Sequence, residues 1–396
     1  MKNQQYKNTI WKYYAFVFLR DFFFISAVLV PFFTKWGHIS LVQVQLLQSW
    51  FMLWSFILEV PTGAIADYFG KKYSLALGAL VVTIAALIYG SFPNFYIFLF
   101  CEFLFAMGLA LTSGADSALL YDSLKEVGKE EESKKIFGKA HSFKLWGLLI
   151  SAPIGSIIAS KLGLNAPLIL SAIPFLLASI IAISIREPKY KEQTKESKRY
   201  LDIVKKGFQF FKQNKAFRLL TLDAILVSAA AYFVIWFYQP LFMNIKTPII
   251  YFGYFHAFLV LIEILIASNF SLLEKWFGFN KYLKISAIIT SLSFILVAIY
   301  PNFYTIISFL IFAGGFGLTR IELMLAHMNK LIPSSNRATI LSSVSMFETF
   351  ILVILNPIIG FLADKSLRYA LLTISILPIV TLFLKTRAGE QLTVQE

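Results

Sequence analysis

The sequence predicts an all-α membrane protein with twelve transmembrane helices arranged as two pseudo-symmetric six-helix bundles. Three observations support this fold class. Hydrophobic residues make up 58% and charged residues only 15% of the 396 residues, with a mean hydropathy of +0.71. Long apolar runs recur along the whole chain, and Lys and Arg are distributed unevenly among the loops between them. This composition excludes a soluble enzyme, a disulfide-rich secreted domain and a disordered chain.

Twelve apolar runs are long enough to cross a bilayer. A transmembrane helix needs about 20 apolar residues, and continuous runs of that length form helices because lipid offers the backbone no hydrogen-bond partners. The first run contains Arg20 and Asp21 and lacks a small-residue cleavage site, so it is a retained span and not a signal peptide. The predicted spans 1 to 12 are 13–34, 43–65, 73–91, 95–121, 141–162, 165–185, 216–242, 250–273, 282–299, 303–330, 338–362 and 367–385.

The distribution of basic residues predicts the orientation of these spans. With a cytoplasmic N terminus, 29 of the 36 Lys and Arg fall on the cytoplasmic side, five fall on the outer side and two lie inside spans. This asymmetry is typical of multi-pass proteins. We therefore expect a protein of the cell membrane (plasma or inner membrane) with both termini in the cytoplasm. The net charge of +14 follows from this topology, so we expect the lipid bilayer, and no nucleic acid, as a partner.

Two short sequence repeats indicate that the chain is duplicated. The segment Pro93–Tyr96 recurs as Pro301–Tyr304, an offset of 208 residues, and Phe69–Gly70 matches Phe277–Gly278 at the same offset. Both matches fall in equivalent loops of the two halves. The predicted domains are an N-terminal bundle at 1–185, a cytoplasmic linker at 186–215 and a C-terminal bundle at 216–396.

The linker combines apolar and basic residues. Leu201, Val204, Phe208 and Phe211 fall at helical spacing, with lysines between them. This pattern predicts a basic amphipathic helix on the inner membrane surface. A simple tether between the two bundles is the alternative.

The loop after span 2 carries the most specific motif of the chain. It reads Gly63-x-x-x-Asp67-x-x-Gly70-Lys71-Lys72, which resembles the cytoplasmic signature of the major facilitator superfamily between its helices 2 and 3. With duplicated halves and a central loop, the resemblance extends over the whole chain. It implies the superfamily fold and a loop that latches the two halves together in the outward-facing state.

The residues of this loop have physical roles that agree with the resemblance. Gly63 permits close helix packing, and Asp67 is suited to a neighbouring helix N terminus. Gly70 permits a tight turn, and Lys71 and Lys72 suit anionic headgroups. The alternative is a charged membrane turn without a gating role.

Two other motifs of the superfamily are incomplete. Where many proton-coupled members carry an arginine in helix 4, four residues before a glycine, this chain has Leu104 before Gly108. The antiport motif of helix 5 is matched in part by Gly147, Pro153 and Gly155. The resemblance therefore favours antiport only weakly.

Ionisable residues are concentrated in particular spans. In the superfamily, helices 1, 4, 7 and 10 line a central cavity whereas helices 3, 6, 9 and 12 face lipid, and spans 3, 6, 9 and 12 here carry charges only near their ends. Spans 2, 8 and 11 carry Glu59, Glu263 and Glu348. The groups in spans 1, 4, 7 and 10 are Arg20, Asp21, Glu102, Asp116, Asp223, Arg320 and Glu322.

Ionised groups inside a span need partners. Arg20 and Asp21 are adjacent and point about 100° apart on a helix, so we expect each to pair with another span and not with its neighbour. We expect Arg20 to pair with Asp116 and Arg320 to pair with Asp223. With Asp21 and Glu322, these groups lie roughly 9–15 Å from the cytoplasmic rim at 1.5 Å per residue. They form a predicted ion-pair layer that closes the inner side of the cavity, or purely structural pairs between helices.

Four carboxyl groups are candidate proton carriers. Glu263 and Glu348 lie near the middle of their spans with no cation close in sequence, and Glu102 and Asp21 are the other candidates. A carboxyl group in an apolar site favours its neutral form and exchanges protons near neutral pH. A hydrogen-bonded structural role is the alternative for each of them.

Aromatic residues make up 17% of the chain. They suit contact with an organic ligand, although packing and interfacial positions are the alternative. The candidates are Tyr232, Phe233, Trp236, Phe237 and Tyr238 of span 7, with Trp11, Trp36, Trp50 and Trp54.

These patterns predict a secondary active transporter of a small organic solute that works by alternating access. Proton-coupled efflux of amphipathic compounds is the leading expectation. A proton-coupled uptake symporter, or a non-coupled lipid scramblase or sensor, are the alternatives. We expect a monomer that is not an enzyme, without cofactor or metal, because no nucleotide-binding loop, nucleophile triad or metal-ligand spacing is visible in the sequence.

Overall fold

The computed structural model describes residues 2–188, 207–332 and 337–384, and this part of the chain is helical without any strand. Ten of its helices are long and apolar enough to cross a membrane. They correspond to spans 2 to 11 and are Leu41–Glu59, Lys71–Ser91, Phe95–Lys125, Glu130–Leu162, Ala166–Ser184, Lys215–Asn244, Ile249–Ser268, Phe279–Ile299, Phe303–Asn329 and Ile340–Lys365. Span 12 is the shorter apolar helix Leu367–Phe383, of 17 residues. The all-α membrane fold is thereby confirmed.

Span 1 differs from its prediction as one continuous helix. Helix Lys2–Arg20 ends in the middle of the predicted span, and the chain continues through short helical turns as far as Trp36. At the break, the Phe24 N–H donates to Ser171 Oγ over 3.0 Å, and the Ser151 hydroxyl donates to the Phe23 carbonyl over 3.3 Å. Irregular backbone is tolerated at membrane depth where protein groups satisfy it. Serines of spans 5 and 6 supply those groups here.

The repeated sequence segments perform the same structural tasks in both halves. The Asn94 side chain accepts hydrogen bonds from the first turn of the helix that begins at Phe95, and Asn302 does the same for the helix that begins at Phe303. Such caps satisfy backbone N–H groups that have no partner within the helix. Gly70 and Gly278 have positive φ angles of 107° and 72° at the starts of spans 3 and 9, a conformation that glycine adopts without strain.

Spans 4 and 10 are interrupted next to charged residues. Span 4 turns at Ser113 and Gly114 (φ 71°), and Asp116 lies in the first turn of the following helix, Ala115–Lys125. Span 10 contains the π-helical segment Leu310–Gly317, and Arg320 begins the next helix. Together with Arg20 at the end of its helix, these groups all lie beside a helix interruption.

The chain divides into two compact units. Unit 1 has a core that includes Tyr13, Phe16 and Leu119, and unit 2 has a core that includes Phe217, Leu220 and Met324. Unit 1 comprises Met1–Ile39, Leu47–Tyr200 and Ile249–Ala257, and unit 2 comprises Ser40–Leu46, Leu201–Pro248 and Phe258–Glu396. The domain boundaries at 185 and 216 remain predictions.

Part of the linker can be compared with its prediction. Leu201 and Val204 lie outside the described residues, so the amphipathic helix remains a prediction at those positions. Residues 207–213 form a short helix. The ring of Phe211 lies 5.4 Å from that of Phe347, and Phe208 is exposed. The end of the linker therefore packs on the core of unit 2.

Candidate functional site

Arg20 and two carboxylates form a half-buried cluster in unit 1. Arg20 Nη1 donates to Asp116 Oδ2 over 2.9 Å, and Arg20 Nη2 lies 3.1 Å from Asp21 Oδ2. The three side chains are 23%, 17% and 18% exposed in the order Arg20, Asp116 and Asp21. The predicted pair between spans 1 and 4 is present. One guanidinium faces two carboxylates, so the cluster carries an excess negative charge when all three groups are ionised.

The prediction that Arg20 and Asp21 do not pair with each other is wrong. It assumed a continuous helix, on which adjacent side chains diverge. Because the helix ends at Arg20, Asp21 lies in the turn that follows, and its carboxylate reaches back to Arg20 Nε and Nη2. The helix break brings the two neighbours together.

The second predicted pair is present in unit 2 and is fully enclosed. Arg320 Nε donates to Asp223 Oδ1 over 2.9 Å, and Nη1 donates to the Leu283 carbonyl over 2.9 Å and to the Ser286 hydroxyl. The Arg320 side chain is 0% exposed and that of Asp223 is 4% exposed. All three guanidinium nitrogens of Arg320 therefore donate to protein acceptors, as a buried ion pair requires.

Glu348 has a different environment from the paired carboxylates. It accepts a hydrogen bond from the Ser228 hydroxyl of span 7 and is half-buried. Within the described residues, no Lys or Arg forms an ion pair with Glu348, Glu263 or Glu322. Glu263 is half-buried, Glu322 is exposed, and the two are close enough to interact electrostatically. Unit 2 therefore contains partly or fully exposed carboxyl groups that no described Lys or Arg neutralises.

Glu102 is sealed in the interior of unit 1. It is 7% exposed and accepts a hydrogen bond from the Tyr89 hydroxyl over 2.8 Å, with a second hydrogen bond to Gln48. The Tyr89 ring packs against Phe98 and Phe33, with ring centroids 4.8 and 5.8 Å apart. Among the four candidate proton carriers, Glu102 is the least exposed.

Most of the aromatic candidates serve packing. Phe233, Phe237 and Tyr238 are fully buried in unit 2. Trp36 stacks on Phe32 at 4.9 Å. The three other tryptophan candidates outside span 7 contact neighbouring rings or a carbonyl of unit 1, and they are Trp11, Trp50 and Trp54. Tyr232 and Trp236 contact each other with ring centroids 6.3 Å apart, and Tyr232 also packs edge-on against Phe233 at 5.3 Å.

The loop motif after span 2 is held by two carboxylates. Lys71 pairs with Asp122 of span 4 through its side chain. The backbone N–H groups of Lys71 and Lys72 each donate to the Glu187 carboxylate over 2.8 Å. Glu187 therefore caps the N terminus of span 3, where a negative charge is stabilised by the helix dipole. Gly70 provides the left-handed turn that precedes this helix.

The other residues of the motif are at the surface of unit 1. Asp67 is exposed and Gly63 is half-buried. The latch role of Gly63, Asp67, Gly70, Lys71 and Lys72 remains a prediction, because it concerns the two halves together.

The partial antiport motif of span 5 has a clear packing role. A Cβ atom on Gly147 would approach the Phe18 carbonyl oxygen to 2.8 Å, and one on Gly155 would overlap the Phe24 carbonyl oxygen. Both glycines therefore let span 5 lie directly against the backbone of span 1. Gly155 faces the break that follows Arg20 and Asp21.

Sequence reasoning missed several partners of the predicted residues. These are Ser228 for Glu348, Tyr89 for Glu102, and Asp122 and Glu187 for the loop motif. Ser228 lies 208 residues after Arg20, the offset of the sequence repeat, so the repeat could have indicated a special position there. Glu187 follows the last residues of span 6, and nothing in its local sequence indicates a helix cap.

The fold and the charged spans together define a membrane transporter of a known class. The sequence profile of the Major Facilitator Superfamily matches residues 14–355. The chain belongs to this superfamily, as its loop motif and duplicated halves predicted.

Solved transporters share this fold at low sequence identity. The nucleoside transporter NupG is similar with a TM-score of 0.79 and 13% identity, covering 97% of this chain and 98% of that one. An inward-facing bacterial homologue of the human lysosomal transporter Spinster has a TM-score of 0.75 and 15% identity, covering 98% and 97%. A D-xylose-proton symporter has a TM-score of 0.72 and 13% identity, covering 96% and 97%.

One curated relative matches over part of the chain. The vesicular acetylcholine transporter of Drosophila melanogaster is 24% identical over 143 residues. The match covers 36% of this chain and 24% of that protein. The similarity therefore concerns a segment and not the whole relative.

Proposed function

We propose that this protein is a proton-coupled efflux transporter of small amphipathic compounds in the cell membrane, with both termini in the cytoplasm and a monomer as the working unit. It works by alternating access, in which the two related bundles rock about a central site. Similarity to a proton symporter and to other small-solute transporters supports the coupling and the kind of cargo.

The main support for the proposal is that Glu348 is half-buried and forms no ion pair with a described Lys or Arg. A carrier must exchange protons with water and with the cargo site, so it needs access and must not be fixed by a permanent counter-charge. Glu348 is half-buried, accepts a hydrogen bond from Ser228 and forms no ion pair with a described Lys or Arg. Glu263 is also half-buried and forms no ion pair with a described Lys or Arg. Asp21, in contrast, is paired with Arg20, and Glu102 is buried. Glu348 is therefore our first choice of carrier and Glu263 the second.

The Arg20 cluster has a separate proposed role. Its three side chains remain partly exposed, and its excess carboxylate is available to a cargo or to a gating contact. We assign Arg20, Asp21 and Asp116 to the inner end of the transport pathway, with Glu322 at the corresponding level of unit 2. Asp223 and Arg320 are assigned to stability of the fold.

The test is a flux assay in proteoliposomes with an imposed pH gradient and a panel of dyes and metabolites. We expect the gradient to drive transport of at least one amphipathic compound by the wild type and by Glu102→Gln, and not by Glu348→Gln. A monodisperse elution profile for each variant controls for folding. Equal gradient-driven flux in Gln variants of Glu348, Glu263 and Glu102 and in Asp21→Asn would overturn proton coupling through these groups.

Uptake by symport is the second candidate function. A D-xylose-proton symporter shares the fold, and the same carboxyl group can couple either direction of movement. The two functions predict opposite directions of cargo movement under the same pH gradient. Accumulation on the acidic side of the membrane indicates antiport, whereas accumulation on the alkaline side indicates symport.

A further inference from the structure

We propose that unit 2 contains a binding site for an organic ammonium ion, built from the Glu348 carboxylate and the rings of Tyr232 and Trp236. The proposal deepens the proposed function, on which it rests, because it states the charge and chemical class of the cargo. The site lies along one ridge of span 7 and the facing ridge of span 11.

Three residues of span 7 lie on one side of its helix. Ser228, Tyr232 and Trp236 follow each other at intervals of four residues in the continuous helix Lys215–Asn244, so they lie on the same side of that helix. The hydrogen bond from Ser228 to Glu348 shows that this side faces span 11. Tyr232 and Trp236 lie about 6 and 12 Å beyond Ser228 along the helix. Helical side chains lean towards the helix N terminus, so both rings lean towards the level of Glu348.

Trp236 has a buried hydrogen-bond donor for which the described residues supply no acceptor. Its side chain is 6% exposed, and among the described residues its Nε1–H has no acceptor. A buried donor without a partner costs about 1–3 kcal/mol. An acceptor oxygen on a bound ligand would satisfy it. This observation is independent of the charge of Glu348.

The charges of unit 2 determine the sign of the ligand. The Arg320 guanidinium is fully enclosed by Asp223, Leu283 and Ser286. In the part of unit 2 that the structure describes, no cation is paired with Glu348, Glu263 or Glu322. A positively charged ligand would supply the missing counter-charge, whereas an anion would be repelled.

The aromatic rings select the kind of cation. An ammonium group over a Tyr or Trp face is attracted by the ring quadrupole, by about 2 kcal/mol or more when water is excluded. Quaternary ammonium ions suit this arrangement because they have no N–H group that needs a hydrogen bond. The site therefore fits an alkylammonium compound that also carries a carbonyl or ether oxygen for Trp236.

The test compares benzoylcholine with its neutral carbon isostere, 3,3-dimethylbutyl benzoate, and with the benzoate anion. Binding to the full-length protein in lipid nanodiscs is measured by calorimetry and by competition. We expect benzoylcholine to bind at least about tenfold more tightly than the isostere, as one cation–π contact with a carboxylate would give, and benzoate not to compete.

Three variants locate the site. Glu348→Gln is expected to reduce the preference for the cation to below about threefold. The control Glu274→Gln, whose carboxylate lies 2.9 Å from His327 Nε2, is expected to retain the preference. Trp236→Phe keeps an aromatic ring but removes the donor, so it weakens both esters by a similar factor and leaves their ratio unchanged. If Glu348→Gln does not fold, Ser228→Ala replaces it and is expected to reduce the preference about two- to fivefold.

The outcomes separate this inference from the proposed function. Equal binding of benzoylcholine and the isostere, or a cation preference that survives Glu348→Gln, overturns the site even if a pH gradient drives flux of another compound. A cation preference that depends on Glu348, without gradient-driven flux of any compound, supports the site and overturns the proposed function.

Discussion

The two arginine clusters of this protein use the same residue types in opposite ways. Arg20 lies at a helix end, shares two carboxylates and keeps 23% of its side chain exposed. Arg320 follows a π-helical segment and is 0% exposed. Its guanidinium contacts one carboxylate, that of Asp223, and donates further hydrogen bonds to other protein oxygens. A charge inside a span is therefore not by itself a sign of function. The number of carboxylates around each arginine and the exposed fraction of its side chain distinguish a functional cluster from a structural ion pair.

The largest effect is expected from breaking the enclosed pair. Arg320→Met leaves Asp223 buried without its counter-charge, which is expected to lower the free energy of unfolding by about 3–5 kcal/mol. Thermal unfolding of the purified protein in one detergent measures the change. The double variant Arg320→Met with Asp223→Leu removes both charges and is expected to recover most of the loss. A single variant as stable as the wild type would remove the structural role from this pair.

The next effect concerns the helix break that holds Asp21 beside Arg20. Gly155→Ala places a Cβ against the Phe24 carbonyl oxygen, and overpacking of this kind costs about 1–3 kcal/mol. Gly138→Ala, where a Cβ has open space, is the matched control in the same helix and is expected to change stability by less than about 1 kcal/mol. If both variants unfold at the same temperature, span 5 does not support the break.

A smaller effect on stability, with a large effect on transport, is expected at the half-buried cluster. Asp116→Asn removes one of the two carboxylates that Arg20 contacts and is expected to cost about 1 kcal/mol of stability. Its gradient-driven flux is expected to fall about tenfold, which corresponds to about 1.4 kcal/mol in the barrier. Unfolding and flux are measured on the same preparation. Full flux in Asp116→Asn would place this cluster with the structural pairs.

The smallest effect is expected at the N-terminal end of span 3. Glu187→Gln keeps an acceptor for the Lys71 and Lys72 amides but removes the charge, at a cost of about 0.3–1 kcal/mol. The loss should shrink when salt is added, because the carboxylate is near the surface. If Glu187→Gln lowers the free energy of unfolding as much as Arg320→Met does, the enclosed pair is not the more stabilising of the two charged contacts.

Much of the fold follows from the sequence, for physical reasons. The length of the apolar runs predicts the spans, because lipid offers the backbone no other hydrogen-bond partners. The repeated Asn94 and Asn302 mark helix caps in both halves, and the pairs of Arg20 with Asp116 and of Arg320 with Asp223 follow from their similar depth.

The details of the charged sites do not follow from the sequence. The span 1 break depends on Ser151 and Ser171, which are distant in sequence and supply hydrogen bonds that a continuous helix would not need. Whether an ion pair is enclosed depends on neighbours such as Ser286, which the pattern of charges does not contain. Glu348 and Glu102 have similar sequence contexts, and only their surroundings distinguish them.

We propose that Glu348 exchanges a proton for the cargo during each transport cycle. The most direct measurement follows proton movement itself, with a pH-sensitive dye inside proteoliposomes and a downhill gradient of a transported compound. We expect the compound to drive proton movement in the wild type and in Glu102→Gln, and no proton movement in Glu348→Gln. Cargo flux without proton movement in the wild type, or unchanged proton movement in Glu348→Gln, would contradict the claim.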